Sequence, residues 1–322
     1  MSYRHVWGEL KRWENELGNE LLVWEKGQSA RLTHFAAKLM WAERQAQARL
    51  APQIEALRSE LERSFAQAFD DRVHVLTLYA SHDEAISALR EVALLGSEET
   101  SRLHLDVRFT GSVDAIRALN EGRCIMAGFH TLENSSRKTR SERTYKPLLQ
   151  PGLHKIIGFA RRTQGLIVAP GNPLGLHSLG DVITREARFA NRALGSGTRV
   201  VLDELLDQAG LSAAALAGVE RVEPSHAAIA QAVASGQCDA GLGIAAAAQQ
   251  AGLGFVPLAD ERYHLVCLKS ALEQPEVQQL RQLLQTPDWQ ACLNKIAGYA
   301  SEQSGEVLSM RKVLPWWSFS PK

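Results

Sequence analysis

From Phe189 to Leu205 the sequence reads F-A-N-R-A-L-G-S-G-T-R-V-V-L-D-E-L. A short strand ends at Asn191, small residues follow at Gly195, Ser196, Gly197 and Thr198, and an amphipathic helix turns Val200, Val201, Leu202 and Leu205 to a core. The first amides of a helix have no intrahelical acceptor and stand at the positive end of its dipole. A loop without side-chain bulk leaves them open to an anion. The same residues also fit a plain turn with Thr198 as N-cap. Two earlier strand exits repeat the pattern with hydroxyls, Ser81 in A-S-H-D, and Thr110 and Ser112 in T-G-S. His82, His130 and Arg199 could line a shared cleft. His130 could equally make a structural hydrogen bond, and Arg199 could either grip a larger anion or pair with Asp203 one turn on. No G-x-S-x-G, H-E-x-x-H or P-loop G-K-[ST] is present, and no His/Cys cluster has metal-ligand spacing. The expectation is a binding protein, not an enzyme, with neither metal nor cofactor.

The elements that must position these groups alternate. Strands are expected at 73–79, 103–109 and 125–129, with helices at 84–95 and 113–120 between them. A second cycle has strands at 165–168, 189–191 and 219–222, then a helix from Ser225-His226 to Ala234 and another from Ile244 to Ala251. Late strands at 255–258 and 263–268 precede helices at 275–284 and 287–296. Strands alternating with helices imply parallel sheet, with ligands at the strands' carboxyl ends. Two such halves, linked near 153–163 and 260–269, predict an α/β, two-lobed, periplasmic-binding-protein-like body that closes on its ligand by a hinge.

Before that body, Ser2 can cap a helix with Val6, Leu10, Trp13 and Leu17 at helical spacing and Gly18 as its stop. Tyr3, Arg4, His5, Lys11 and Arg12 give this helix polar and cationic reach. Leu21 to Leu32 reads as a β-hairpin around Lys26-Gly27-Gln28-Ser29. Helix and hairpin fit the second half of a winged helix-turn-helix, in which the helix enters the major groove and the wing touches phosphate; a solvated basic helix face fits too. Residues 33–68 form a long helical stretch with Phe35, Leu39, Ala42, Ala46, Leu50, Ile54, Leu57, Leu61 and Phe65 along one seam, either a dimer stalk or a helix packed on its own chain. Pro52 predicts a kink or break near Leu50.

Composition limits the partners. The 322 residues are 45% hydrophobic and 22% charged, with 36 Lys+Arg against 36 Asp+Glu, so no overall field draws in nucleic acid and any basic surface must be local. Cys124, Cys238, Cys267 and Cys292 are widely spaced and read as thiols of a reducing compartment. The N-terminus lacks an apolar signal region and no run of about 18 apolar residues occurs, which predicts a cytoplasmic protein without a membrane partner.

Two sets of motifs carry a resemblance. S-Y-R-H-V-W-G-E-L-K-R-W-E with L-L-V-W-E-K-G-Q-S-A-R-L-T-H-F-A-A-K-L, over about the first 45 residues, resembles the recognition helix, wing and following helix of LysR-like molybdate-responsive transcriptional regulators. From about Val73 to Trp317, A-S-H-D, T-G-S-V-D-A-I, A-G-F-H, N-R-A-L-G-S-G-T-R-V-V-L-D, D-A-G-L-G-I-A-A-A, F-V-P-L-A-D-E-R-Y-H-L-V, G-E-V-L-S and L-P-W-W resemble the binding domain fused to those regulators. The resemblance implies a partial winged helix-turn-helix over 1–32, a linker and dimerisation helix over 33–71, and a ligand-binding domain over 72–322, with lobe I at 72–158 and 262–322 and lobe II at 159–261. It implies molybdate or a related oxyanion as effector, held by Ser81, Ser112, Ser196, Thr198 and Tyr263 with the Gly197 backbone. It further implies DNA contacts from Ser2, Tyr3, Arg4, His5, Lys11, Arg12 and Lys26, and a homodimer. In that family two helices precede the recognition helix, whereas this sequence has only Met1 before Ser2. The expectation is either a start codon placed late or a truncated head, and in the latter case a stand-alone cytoplasmic oxyanion or small-metabolite binding module without DNA binding.

Overall fold

The computed structural model describes residues 2–24, 29–69, 73–94, 103–134, 137–218 and 220–317. Helix α1 (Tyr3–Leu17) starts at Ser2, whose hydroxyl accepts from the His5 amide at 3.4 Å, and ends at Gly18 in the left-handed region at φ 64°. Strands β1 (Leu22–Val23) and β2 (Arg31–Leu32) pair antiparallel as the expected hairpin. The Glu14 carboxylate fixes hairpin to helix by accepting from the Leu21 amide at 2.8 Å and from Lys11 at 2.6 Å. Arg4, His5, Lys11 and Arg12 are exposed along α1, with Arg12 near Glu9 and Glu16. Lys26 lies outside the described residues.

Helix α2 (His34–Phe69) runs unbroken through Pro52, so of the kink or break expected near Leu50 the break does not occur. Proline removes the amide that would bond the carbonyl four residues back, a cost of about 3 kcal/mol when nothing replaces it. Here Ser225 donates its hydroxyl to that carbonyl, Ala48 O, at 3.2 Å. The apolar seam is not what packs on the body. Leu50, Ile54, Leu57, Leu61 and Phe65 are all exposed, Leu57 by 64%. The packed face is small and polar. Ser59, fully buried, donates to Leu105 O at 3.1 Å and accepts from the Val107 amide at 3.0 Å.

In the body, β3 (His74–Ala80), α3 (Glu84–Leu94), β4 (Leu103–Phe109), α4 (Ser112–Asn120) and β5 (Met126–Leu132) build the first half. Helix α5 (Arg140–Tyr145) and the 15-residue β6 (His154–Val168) follow, then α6 (Leu179–Thr184), β7 (Phe189–Arg192), α7 (Gly197–Gln208), β8 (Val222–Glu223), α8 (His226–Ala234), β9 (Ala240–Ile244) and α9 (Ala245–Gln250). The 15-residue β10 (Gly254–Leu268) leads back to α10 (Pro275–Leu284), α11 (Pro287–Asn294), β11 (Tyr299–Ala300), β12 (Val307–Leu308) and α12 (Met310–Val313).

The main sheet has the order β4-β3-β5-β10-β6-β9-β7-β8, with β11 and β12 on β6. It is mixed, not purely parallel. β3 pairs in parallel with β4 and β5, and β7 with β8 and β9, but β6 and β10 run antiparallel from Val168↔Gly254 to His154↔Leu268. What reads as two late strands and two links is thus one pair of long strands passing through both lobes, with irregular register at Pro257/Ala259 and Tyr263/His264. The edge strand β4 is the one into which Ser59 inserts, so α2 covers an otherwise free sheet edge. Trp316 is buried against Leu149 and Leu314 in the core over α4. Among the described residues no helix is long and apolar enough to cross a membrane.

Candidate functional site

Parallel strands deliver helix starts to one place. Asp83 opens α3 and accepts from the Ala85 amide at 2.9 Å; Ser196 opens α7 and accepts from the Arg199 amide at 3.2 Å; Ser225 opens α8 and accepts from the Ala228 amide at 3.0 Å. The starts of α4 and α7 meet across the two lobes, with the Val113 amide donating to Gly195 O at 3.2 Å. That approach explains the glycines. A Cβ on Gly111 would stand 2.8 Å from Gly195 O, and one on Gly197 would stand 2.2 Å from His130 Cδ2 and 2.8 Å from Ser112 Oγ. Two positive helix ends brought together create a demand for negative charge.

Behind this junction lies a buried polar cluster on β5, β6 and β10. The Arg162 guanidinium, 2% exposed, bonds the carboxylates of Asp83 and Glu261, and its Nη2 lies 3.2 Å from His130 Nδ1. Tyr299 donates to Asp83 at 2.6 Å. Gln164 donates to Glu261 at 2.9 Å and reaches Thr198 Oγ1 at 3.4 Å, which lies 3.3 Å from His226 Nε2. Burial, and then the nearby guanidiniums, push His130 and His226 well below the usual imidazole range, so both are neutral. The Tyr263 ring lies 3.9 Å from the His130 ring, and its hydroxyl has no hydrogen-bond partner among the described residues.

Arg192, at the end of β7, is different. It is 6% exposed, and its Nε and Nη1 have no partner among the described residues. Burial, together with the charge of Arg162, lowers it to about 10 against the pull of Asp83. Of the carboxylates near it, Asp83 is engaged by Arg162, and Glu223, opposite Arg192 on β8 and lining the same cavity, is engaged by Arg49 and Arg221. A buried guanidinium without a counter-ion is costly, and an arriving anion removes that cost. Arg192 lines a cavity of about 310 Å³ with Ser81, whose buried hydroxyl is also unpartnered, and with Thr110, Gly111 and Ser196.

The sequence-predicted ligand residues fall into three places. Ser81 and Ser196 line the cavity, as does His82, which lies 3.2 Å from Glu55. Ser112, Gly197, Thr198, His130 and Tyr263 are buried behind it or at the lobe junction, with His130 inside β5, not after it. Arg199 takes the other course left open for it, pairing with Asp203 at 2.9 Å, and does not line the cavity. Sequence reading missed Arg192, Arg162, Asp83, Glu261 and His226. The available signal for Arg192 was a lone cation at a strand's carboxyl end, directly before the glycine loop. Among the described residues no group of three His, Cys, Asp or Glu side chains could hold a metal ion.

The family described as the PBP superfamily domain matches residues 95–285. YvgK, an uncharacterized protein of Bacillus subtilis (strain 168), is 30% identical over 201 residues, 62% of this chain. The chain spans 64% of YvgK, a little under two thirds of its length. A Clostridium pasteurianum protein from the 5′ region of a 2Fe-2S ferredoxin gene is 28% identical over 111 residues, 34% of this chain and 98% of its own. Among solved structures, an ABC-transporter substrate-binding protein from Clostridium perfringens with bound phosphate superposes with TM-score 0.52 at 12% identity, covering 70% of this chain and 99% of that one. At that identity the likeness is one of fold.

Proposed function

The chain belongs to the PBP superfamily, and from that premise we propose that it is a cytoplasmic, ligand-responsive transcriptional regulator whose cleft binds a small oxyanion. The observation that carries the reading is Arg192, buried with two nitrogens unpartnered in a cavity between helix starts. The anion is held there by Arg192, Ser81, Ser196 and the amides around Gly197, with Ser112, Thr198, His130 and Tyr263 supporting the closed lobes. Molybdate and tungstate are the first candidates, on the resemblance of the N-R-A-L-G-S-G-T and T-G-S-V-D-A-I motifs. Hydroxyls of Ser81, Thr110 and Ser196 and the Arg192 guanidinium at the end of β7 supply donors suited to a dehydrated tetrahedral anion, while the carboxylates that share the lining, Asp114 and Glu223, lie respectively beside Arg117 and under Arg49 and Arg221. Helix α1 and its hairpin serve as the DNA-contacting part through Arg4, His5, Lys11, Arg12 and Lys26, and α2 joins two copies through its exposed seam. Because a ligand shifts a conformational equilibrium only by its differential affinity, regulation requires the anion to favour the closed lobes.

A second reading, a stand-alone anion-binding module without DNA contact, is favoured by α1 itself. Val6 and Trp13 on its apolar side are 43% and 53% exposed, so among the described residues only the hairpin, through Glu14, braces the helix. Calorimetric titration with molybdate, tungstate and sulfate tests the shared core of both readings. Tight binding of the first two and weak binding of sulfate is the expected result; no heat from any of the three overturns the oxyanion assignment. Binding of the same protein to duplex DNA, tested across a salt series, then separates the two.

A further inference from the structure

We propose that helix α2 forms a third wall of the anion cavity and that Arg49 and Gln53 are ligand-contacting residues, supplied by the linker and not by either lobe. This rests on the oxyanion reading of the cleft. The cavity is not closed by the lobes alone, because Arg49, Pro52 and Gln53 line it together with Ser81 and Arg192.

The helix is fixed over this opening from both sides. Toward lobe II, Ser225 holds the Ala48 carbonyl, and Arg49 grips the buried Glu223 with Nε at 2.8 Å and Nη2 at 3.0 Å. Toward lobe I, Ser59 inserts between Leu105 and Val107, and Arg63 reaches Asp106 at 3.0 Å. Gln53 lies between these two sets of anchors. Its side chain makes no hydrogen bond among the described residues, and the grip on Glu223 uses only two of the three Arg49 nitrogens. The wall therefore presents an amide and a guanidinium nitrogen, both able to donate.

Size makes such donors useful. At ~30 Å³ per water in the liquid, 310 Å³ is worth about ten waters. An anion seated on Arg192 and the helix starts leaves room on its outward side, where donors from α2 reach it directly or through one water. Binding then acts on the linker by contact. The hinge is not the only route from ligand to α2.

The test uses the full chain with Gln53→Cys, and Arg58→Cys as the control on the solvent side of the same helix. Cys124, Cys238 and Cys267 are buried, and the half-buried Cys292 is changed to Ser in both variants. Thiol alkylation is followed with and without saturating molybdate, tungstate, phosphate or sulfate. For whichever anion binds the unsubstituted protein, the expected result is protection of Cys at 53 by roughly tenfold, with the rate at 58 unchanged. Arg49→Ala, which leaves Glu223 with Arg221 at 3.3 Å, is expected to weaken that anion roughly tenfold by loss of a charge-assisted contact. Equal rates at 53 with and without a bound anion, or unchanged affinity in Arg49→Ala, overturn the third wall and leave the cleft assignment standing. If none of the four anions binds the unsubstituted protein, the oxyanion reading falls and the third wall falls with it.

Discussion

Ser225 donates its hydroxyl to the carbonyl of Ala48 at 3.2 Å, the acceptor whose helical partner Pro52 removes. The same oxygen caps α8 by accepting from the Ala228 amide. Ser225→Ala should therefore cost about 2 kcal/mol, combining a lost cap with an orphaned carbonyl. Pro52→Ala restores the amide within α2, so in that background the cost of Ser225→Ala should shrink to the cap alone, about 1 kcal/mol. Urea unfolding of the four proteins measures the difference. Equal costs in both backgrounds would show that the hydroxyl does not serve the proline.

Gly197→Ala should block closure without unfolding either lobe. The new methyl would fall 2.2 Å from the His130 ring, and that overlap exists only while the lobes touch. Opening relieves it, so the melting temperature should move little while anion affinity falls by roughly tenfold or more, the closed state having become rare. Calorimetry alongside thermal denaturation distinguishes this from simple misfolding, which would lower both together.

How much of this the sequence discloses depends on whether the governing rule is local. Ser2 and Ser225 cap the helices they are expected to open, and 103–109 is a strand as expected, because caps and pleats are set by near neighbours, whereas the cap of α7 is Ser196 and not Thr198, which lies inside the first turn. β6 and β10 read in the sequence as links near 153–163 and 260–269 joined to short strands, since Arg161, Arg162, Asp260 and Glu261 interrupt the apolar runs. They are strand residues whose charges are matched across the sheet, as in Arg161 with Asp260 at 2.6 Å. The seam of α2 was legible as apolar periodicity, but nothing local says that the opposite face, with Pro52 and Ser59, is the one that docks. Arg192 becomes meaningful only through its burial and the commitment of Asp83 to Arg162 and of Glu223 to Arg49.

Three buried histidines set the acid limit of stability. Burial, then Arg262, lowers His264 to about 3, while His130 and His226 are also held well below their ordinary value. In the unfolded chain each takes up a proton near pH 6.5, so below that pH the unfolded state binds more protons than the folded one. Their contribution is complete above about 6.5 and is lost as pH falls toward 3, with a slope of up to ~1.4 kcal/mol per pH unit for each histidine. His264→Phe, next to Phe129, should make the fall of melting temperature between pH 7 and 4.5 shallower. An unaltered slope would mean that His264 is not protonated on unfolding in this range.

The exposed seam of α2 predicts self-association. Leu50, Ile54, Leu57, Leu61 and Phe65 recur at three- and four-residue steps on the side away from the body. Sedimentation should show a dimer, and Leu57→Glu with Leu61→Glu should give a monomer that still binds the anion, since neither residue lines the cavity. A monomeric parent protein, or a dimer untouched by both substitutions, would remove the seam as the interface.

Arg192→Met should raise stability in the absence of ligand and abolish anion binding. The guanidinium is buried, two of its nitrogens have no acceptor among the described residues, Arg162 has taken Asp83, and Arg49 and Arg221 have taken Glu223. Replacing an uncompensated buried charge by an apolar chain of similar length removes a desolvation cost and should stabilise the apo protein by about 1–3 kcal/mol. If Arg192 instead held the lobes together through contacts of its own, the same change would destabilise. Urea unfolding of parent and variant decides the sign. A gain in stability together with loss of anion affinity identifies a residue kept for binding at the expense of the fold, whereas a loss of both would make Arg192 a structural cation and deprive the cleft of its strongest claim to an anion.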